Sequence, residues 1–415
     1  MKEKSKINFK YIVALIILLF PILDQYAGIF DKISLGETLL ITVVILSLPP
    51  IKKVNLKTID ISYIIFILVC IILSLLSILF QQDIKIIDFI SLVFRMVVYA
   101  VFIVFLGCLY FDDIKVIKIY EFISLALCIY LITQYIFYYT TNSILPTFIP
   151  FLKVKSSLLT YASRDLVYVY EIFFRPSALL SEPAKFTQYI LPYLIILLFD
   201  NEQKNVTFKA ILVTVCLVLS TSFLAILLVG ITYVLFIIKS FRESKQHDII
   251  SKLLISTVIV LCFIYILTKT SLVSDNIHRI ASGLTISTGT SSASLRLIRG
   301  WEIFFELPLL NQIIGVGLGN ITNFIQSHSI SLVYGGGYSY GEYTNTFTYI
   351  LNCCGVIGIL FFMIFMYNVY KNTSVVPRKL LIVMLVMSFG SSFLVTPTWV
   401  LFMIFIYRYD YLQRS

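Results

Sequence analysis

The chain has 415 residues, of which 59% are hydrophobic and only 13% charged, and its mean hydropathy is +0.95. A soluble domain carries about a quarter charged residues, so this composition excludes an ordinary water-soluble fold and indicates an all-α polytopic membrane protein. The net charge of +10 does not indicate nucleic acid, because the basic residues sit in short clusters between apolar segments and no basic, aromatic-interleaved soluble domain is present.

In chain order, Lys2, Lys4, Lys6 and Lys10 precede an apolar run that no small-residue cleavage site follows, so the first segment reads as a span and not a removable signal. Apolar segments then fall near 11–30, 33–48, 61–80, 89–110, 116–139, 183–199, 206–219, 222–238, 253–268, 346–370, 379–394 and 397–409. This gives about twelve transmembrane helices, or eleven if 206–238 is continuous. The polar Ser220-Thr221-Ser222 favours a hairpin there, and Pro397 favours splitting the last apolar stretch.

Lys and Arg crowd the tails and one set of connections, at residues 2, 4, 6, 10, 52, 53, 57, 115, 118, 204, 209, 239, 242, 245, 252, 371, 378, 379, 408 and 414. The short connections of the opposite set hold only Lys32 and Lys85. By the positive-inside rule both termini are cytoplasmic, and the long connections 140–182 and 269–345 face outward. The whole of 1–415 reads as one integral-membrane domain, with chemistry expected in those two outer loops, since long loops are usually functional. No internal repeat of the kind found in many carriers is evident.

The seven cysteines all lie in apolar stretches and form no CxxC pair, and the adjacent Cys353-Cys354 reads as core filler. His247, His278 and His328 lack metal-site spacing, so no metal or cofactor is expected.

The first outer loop carries Lys153, Lys155, Arg164 and Arg175 against Asp165, Glu171 and Glu182. In Arg175-Pro-Ser-Ala-Leu-Leu-Ser-Glu-Pro-Ala-Lys-Phe186, Pro183 suits a first helical turn that Ser181 or Glu182 can cap. A helix start flanked by Arg175 and Lys185 can seat an anion; the plainer alternative is that both cations anchor helix ends at lipid headgroups. In the second loop, Leu295, Ile298, Trp301 and Phe305 recur at helical spacing, with Arg296 and Arg299 on another face. That predicts an amphipathic interfacial helix whose arginines can grip a diphosphate bidentately, or else carry ordinary solvated charge.

Gly315-Val-Gly-Leu-Gly-Asn320 lacks the spacing and preceding strand of a nucleotide fingerprint and reads as tight backbone packing. Gly335–Gly341 is a candidate flap or a plain flexible loop, leading to Glu342-Tyr343-Thr344-Asn345 before the next span. Arg95, inside the fourth predicted span, is either functional or snorkelling to the interface.

Four pieces in order resemble the Wzy/O-antigen polymerase and ligase superfamily of bacterial polysaccharide assembly. They are Arg175-Pro-Ser-Ala-Leu-Leu-Ser-Glu-Pro183, Arg296 with Trp301, Gly315–Asn320, and Thr344-Asn345 followed by Gly355-Val-Ile-Gly358. The resemblance implies a GT-C-like integral glycosyltransferase of the bacterial inner membrane. Such a polymerase moves a growing glycan from undecaprenyl diphosphate onto a lipid-linked oligosaccharide repeat unit, for capsule, O-antigen or exopolysaccharide. It further implies that Arg175 and Arg296 hold the diphosphate, helped by Arg279 or Arg299, with Lys185 and Asn345 also contacting substrate. A sugar-hydroxyl acceptor benefits from a general base, for which Glu182 and Glu342 are the candidates. Membrane lipids and a chain-length regulator are the implied partners. Where many family members, ligases above all, carry His before the late Asn, this chain has Thr344. That favours a polymerase over a glycan ligase. A flippase or transporter of lipid-linked glycan is the alternative from another class; it calls for charge along the spans, which apart from Arg95 are nearly free of it.

Overall fold

A computed structural model describes residues 2–29, 33–47, 58–80, 85–111, 114–156, 158, 174–200, 206–242, 292–330, 332 and 344–412. The predicted segment 253–268, the Gly335–Gly341 stretch, Arg164, Asp165, Glu171, Arg279 and Glu342 lie outside those residues.

The described chain is all-helical, its only β pairing being isolated bridges of Tyr26 with Val154 and Ala27 with Ser34. In order the helices are α1 (Lys2–Leu23), α2 (Leu35–Ser47), α3 (Thr58–Phe80), α4 (Ile86–Val101) and α5 (Gly107–Tyr110), the last two joined by a π-helical turn, Phe102–Leu106. Then come α6 (Ile114–Thr141), α7 (Pro183–Phe199), α8 (Val206–Leu219), α9 (Phe223–Arg242) and α10 (Ser292–Glu306). The last are α11 (Leu309–Ile314), α12 (Ile321–Ser327), α13 (Thr346–Asn372), α14 (Val375–Gly390) and α15 (Pro397–Leu412). Segments Thr58–Phe80, Ile86–Leu106, Ile114–Thr141, Phe223–Ser240 and Thr346–Asn372 are long and apolar enough to cross a bilayer. The hairpin between 206 and 238 is present: helix stops at Leu219, Thr221 adopts φ +54°, and α9 starts at Phe223.

Burial runs opposite to that of a soluble bundle. On α3, Ile61, Leu68, Ile72, Leu79 and Phe80 face outward, while Asp60, Ser62, Ser74 and Ser77 are buried. Exposing that face of α3 to water would cost on the order of 5–10 kcal/mol. In lipid it costs little, while polar groups gain by turning inward to find partners. This pattern makes the chain a membrane protein.

Helix α7 is the axis of the bundle: Phe186 through Phe199 are all buried. Tyr189 donates to the Leu18 carbonyl at 3.0 Å and accepts at its own carbonyl from Tyr120. Among the described residues, the connections 24–29, 33–34, 142–156, 174–182, 220–222 and 391–396 gather at one end of the bundle. Gln25 there bonds the Leu179 carbonyl, Arg175 reaches Thr221, and Thr346 bonds the Ser391 carbonyl. At the opposite end Ser47 meets Tyr110, Lys209 pairs with Glu121, and Tyr409 donates to Asp200.

Arg95 is paired. Its Nε lies 2.6 Å from Glu37 Oε1, which also accepts from the Tyr99 hydroxyl at 3.2 Å. Glu37 closes a capping box at the start of α2, accepting from Ser34 N–H at 2.8 Å while Ser34 Oγ accepts from Glu37 N–H at 2.9 Å. The charge inside the bundle thus ties α4 to the head of α2.

Candidate functional site

The segment 174–182 enters the loop end of the bundle as an irregular strand of chain held by side-chain amides. Gln134 of α6 clamps Ala178 from both sides: its Oε1 accepts from Ala178 N–H at 3.0 Å, and its Nε2 donates to the Ala178 carbonyl at 3.3 Å. Ala178 is fully buried with φ +53°, and Ser177 Oγ closes the turn onto the Leu180 carbonyl at 2.6 Å. Phe174 stacks on Tyr138 at 4.4 Å.

Upstream, the same connection is laid on the α1–α2 turn. Ala27 N–H donates to the Lys153 carbonyl, Lys155 N–H to the Gln25 carbonyl, and Lys155 Nζ pairs with Asp24 at 3.2 Å. Tyr26 Oη accepts from Ile149 N–H at 2.8 Å, and burial holds that phenol above its usual pKa.

These ties bring Arg175 to the α8–α9 hairpin, where its Nε lies 3.4 Å from Thr221 Oγ1. Pro183 opens α7 as predicted. Glu182 occupies the cap position in extended geometry, but its side chain makes no capping bond and stays exposed. Lys185 is half-buried in the first turn. One turn deeper, Gln188 donates to Ser391 Oγ at 3.3 Å and accepts from Thr398 at 3.2 Å, fastening α7 to the break between α14 and α15.

The second arginine arrives from another part of the chain. On α10, Leu297, Trp301 and Phe305 point outward, the last two 44% and 69% exposed, whereas Arg299 is 1% exposed and Arg296 half-buried. The predicted stripe and arginine face are therefore distinct, except that Leu295 turns inward with Arg299. Arg296 Nη1 bonds the Gly390 carbonyl at 3.3 Å. A methyl built on Gly390 would lie 3.4 Å from Leu224 Cδ1, three residues past Thr221. Arg175 thus bonds the α8–α9 hairpin and Arg296 the end of α14, two elements that pack on each other.

Asn345 serves the scaffold. Its side-chain oxygen accepts from Thr348 N–H at 2.9 Å in a capping box that starts α13, and its Nδ2 donates to the Arg296 carbonyl at 3.0 Å. Both ends of the amide are engaged in setting α10 on α13. Gly300 completes that seat, since a Cβ there would lie 2.1 Å from Thr348 Oγ1, and Asn352 Nδ2 bonds the Gly300 carbonyl at 2.9 Å.

The glycine-rich turn packs backbone, as its sequence predicts. Gly355 interrupts α13 with φ +65°. The carbonyls of Asn352 and Cys353, which an unbroken helix would direct to residues 356 and 357, accept from Val316 N–H and Gly317 N–H, both at 2.9 Å. Gly315 has φ +85°, and a Cβ on it would lie 2.1 Å from the Cys353 carbonyl oxygen. Ser77 donates to the Gly315 carbonyl at 2.9 Å, and Ser74 Oγ accepts from Leu318 N–H at 3.1 Å.

The sequence reading missed Gln134 and Gln188, which hold the surrounding chain, and read Thr221 as part of a hairpin without its contact to Arg175. Only an unexplained glutamine inside an apolar segment could have flagged the first two. Among the described residues, no three His, Cys, Asp or Glu side chains assemble as a metal site. Compared with known proteins, the chain matches no protein-family model and gives no significant match to a curated protein.

Proposed function

We propose that the chain is a membrane glycosyltransferase of the Wzy/O-antigen polymerase and ligase type. It would transfer a growing glycan from undecaprenyl diphosphate to a lipid-linked oligosaccharide repeat unit. The observation that supports this reading is that Arg175 and Arg296, from separate connections, bond the α8–α9 hairpin and the end of α14, which pack together at the loop end of the bundle. Guanidinium groups suit a diphosphate leaving group because they offer paired donors and keep their charge as the leaving oxygen becomes anionic. The exposed apolar stripe of α10 supplies a lipid-facing wall beside them, where a polyprenyl chain can lie. Glu182, exposed at the head of α7, is the described carboxylate best placed to take the acceptor proton. Arg299 supports Arg296 from the inner face of α10, and Lys185 adds positive charge near the mouth.

The same reading assigns twelve crossings and a GT-C-like architecture. The end holding Lys115, Lys118, Lys209, Lys239, Arg378 and Lys379 then faces the cytoplasm, and the loop end faces outward.

The test is the size distribution of lipid-linked and surface glycan in a strain lacking the gene, complemented with wild type, Arg175→Ala or Arg296→Ala. Each variant should lose on the order of 10²–10³ in polymer formation at normal protein level. Full-length polymer from both variants removes the site assignment. In the deletion strain, outward-facing single repeat units identify a polymerase, long chains stranded on carrier a ligase, and repeat units confined to the inner leaflet a flippase.

A further inference from the structure

The glycine-rich turn after α11 is fixed to α3 short of the end of that span. The outward face of α3 is apolar up to its last residues, with Leu79 and Phe80 exposed, so hydrocarbon reaches the final turn of this helix. Ser77 and Ser74, which bond Gly315 and Leu318, stand three and six residues before Phe80. At the rise of an α-helix they lie about 5 and 9 Å inside the span. On the other side, the turn rests on Asn352 and Cys353 of α13, well past that helix's start at Thr346. The chain then returns to the head of α4, where Asn320 Oδ1 accepts from Lys85 N–H at 3.1 Å. Helix α11 therefore leads into the bundle and Asn320 leads back out.

Irregular backbone at membrane depth is tolerated only where its polar groups find partners in the protein, because lipid offers none. This turn meets that demand. Gly315 N–H donates to the Asn311 carbonyl, and the Gly315 carbonyl accepts from Asn311 Nδ2 as well as from Ser77. Val316 and Gly317 N–H go to α13, and Leu318 N–H goes to Ser74. The carbonyls of Gly317 and Leu318 accept from the backbone and side chain of Asn320. Meanwhile the side chains turned outward are apolar: Leu309, Leu310 and Ile313 on α11 continue the Trp301 and Phe305 stripe of α10. Glu302 and Glu306 sit one position round from Trp301 and Phe305, giving the stripe the polar margin of a helix lying at headgroup level.

We propose that α11 and residues 315–318 form a re-entrant wedge in the leaflet at the loop end, with acyl chains of bilayer phospholipids covering Leu309, Leu310 and Ile313. Trp301 and Phe305 meet the same chains nearer the headgroups. The depth of the turn and its closed hydrogen bonding favour lipid over water as the occupant of this face. Part of the second long connection thus lies within the membrane and not above it. The inference rests on the chain being a membrane protein and is independent of the glycosyl-transfer reading.

Tryptophan fluorescence of the full-length protein in phosphatidylcholine vesicles tests it, with bromine placed on the acyl chains near the headgroup or near the chain end. The chain has two tryptophans, and Trp399 is fully buried, so the difference between wild type and Trp301→Phe isolates Trp301. Its emission should fall at least about twofold with the shallow bromines, as an apolar face sunk some 5–10 Å into the headgroup boundary requires. Iodide in the water should leave it nearly unchanged. A Trp301→Phe/Leu309→Trp variant moves the reporter onto α11, where the deep bromines should quench it more than they quench Trp301. Iodide quenching without bromine quenching would put the face in water and overturn the proposal. Resistance to both would place it under another segment or a protein partner, which overturns it equally. A Leu309→Trp reporter no deeper than Trp301 would confine lipid contact to α10 and remove the wedge. If that variant fails to fold, the Leu310→Trp counterpart gives the same comparison.

Discussion

The described parts of the two long connections are fastened to the bundle by a different balance of chemistry. In the first, beside the backbone bonds of residues 153 and 155 to the α1–α2 turn, Gln25, Gln134 and Tyr26 each reach a backbone group of residues 149–179. The second adds to such side-chain bonds a contact of backbone on backbone, with Gly315 and Gly355 letting residues 315–317 lie directly on the interrupted α13. Side-chain fastening is divisible, because each bond contributes about 0.5–1.5 kcal/mol and can be lost singly. Backbone fastening through glycine is closer to all-or-none, because any Cβ must displace main chain. Arg175 hangs from the first kind of support and Arg296 from an α10 that abuts the second.

The hardest blow to that contrast is Gly355→Ala. The methyl would meet the Ile313 carbonyl at 2.1 Å from a residue at φ +65°, and we expect a loss of about 3 kcal/mol or more. Survival of a monodisperse peak after stepwise heating in detergent reads it out, and a variant as heat-resistant as wild type would show that the turn is not locked. Gln134→Leu should cost less, about 1–3 kcal/mol, since it strips both partners from the buried Ala178 peptide groups. The same heating series should rank it clearly below Gly355→Ala; the reverse order would break the comparison. Tyr26→Phe is the mildest change. It removes one acceptor from Ile149 N–H, for about 0.5–1.5 kcal/mol. Proteolysis within residues 142–158 should quicken several-fold, with global melting nearly unchanged.

Much of the architecture was legible because it depends on local composition. The apolar segments among the described residues became helices, Ser220-Thr221-Ser222 became a hairpin, and Gly315–Asn320 became a packing turn. The break at Gly355 was not legible. Gly355-Val-Ile-Gly358 reads as small residues on an apolar helix, and the turn that meets the break lies some forty residues away in sequence. Arg95 looked like a lone intramembrane charge, yet Ser34-Leu-Gly-Glu37 spells a capping box whose glutamate is its partner. At the candidate site, the two arginines were chosen for their chemistry. Their contacts depend on Thr221, which the sequence marks only as part of a hairpin, and on Gly390, which carries no signal in sequence. Asn345 had a cue as helix cap and as ligand alike, and its contacts are those of a cap.

The interruption of α13 also constrains how the protein is made. Residues 315–317 leave the ribosome before residues 352–355 exist, so their N–H groups must wait for the helix that will accept them. That helix in turn enters the bilayer with two peptide carbonyls directed away from its own axis, a state lipid tolerates poorly. Neither piece is at ease alone. Integration of this helix is thereby coupled to the arrival of a segment from the preceding connection.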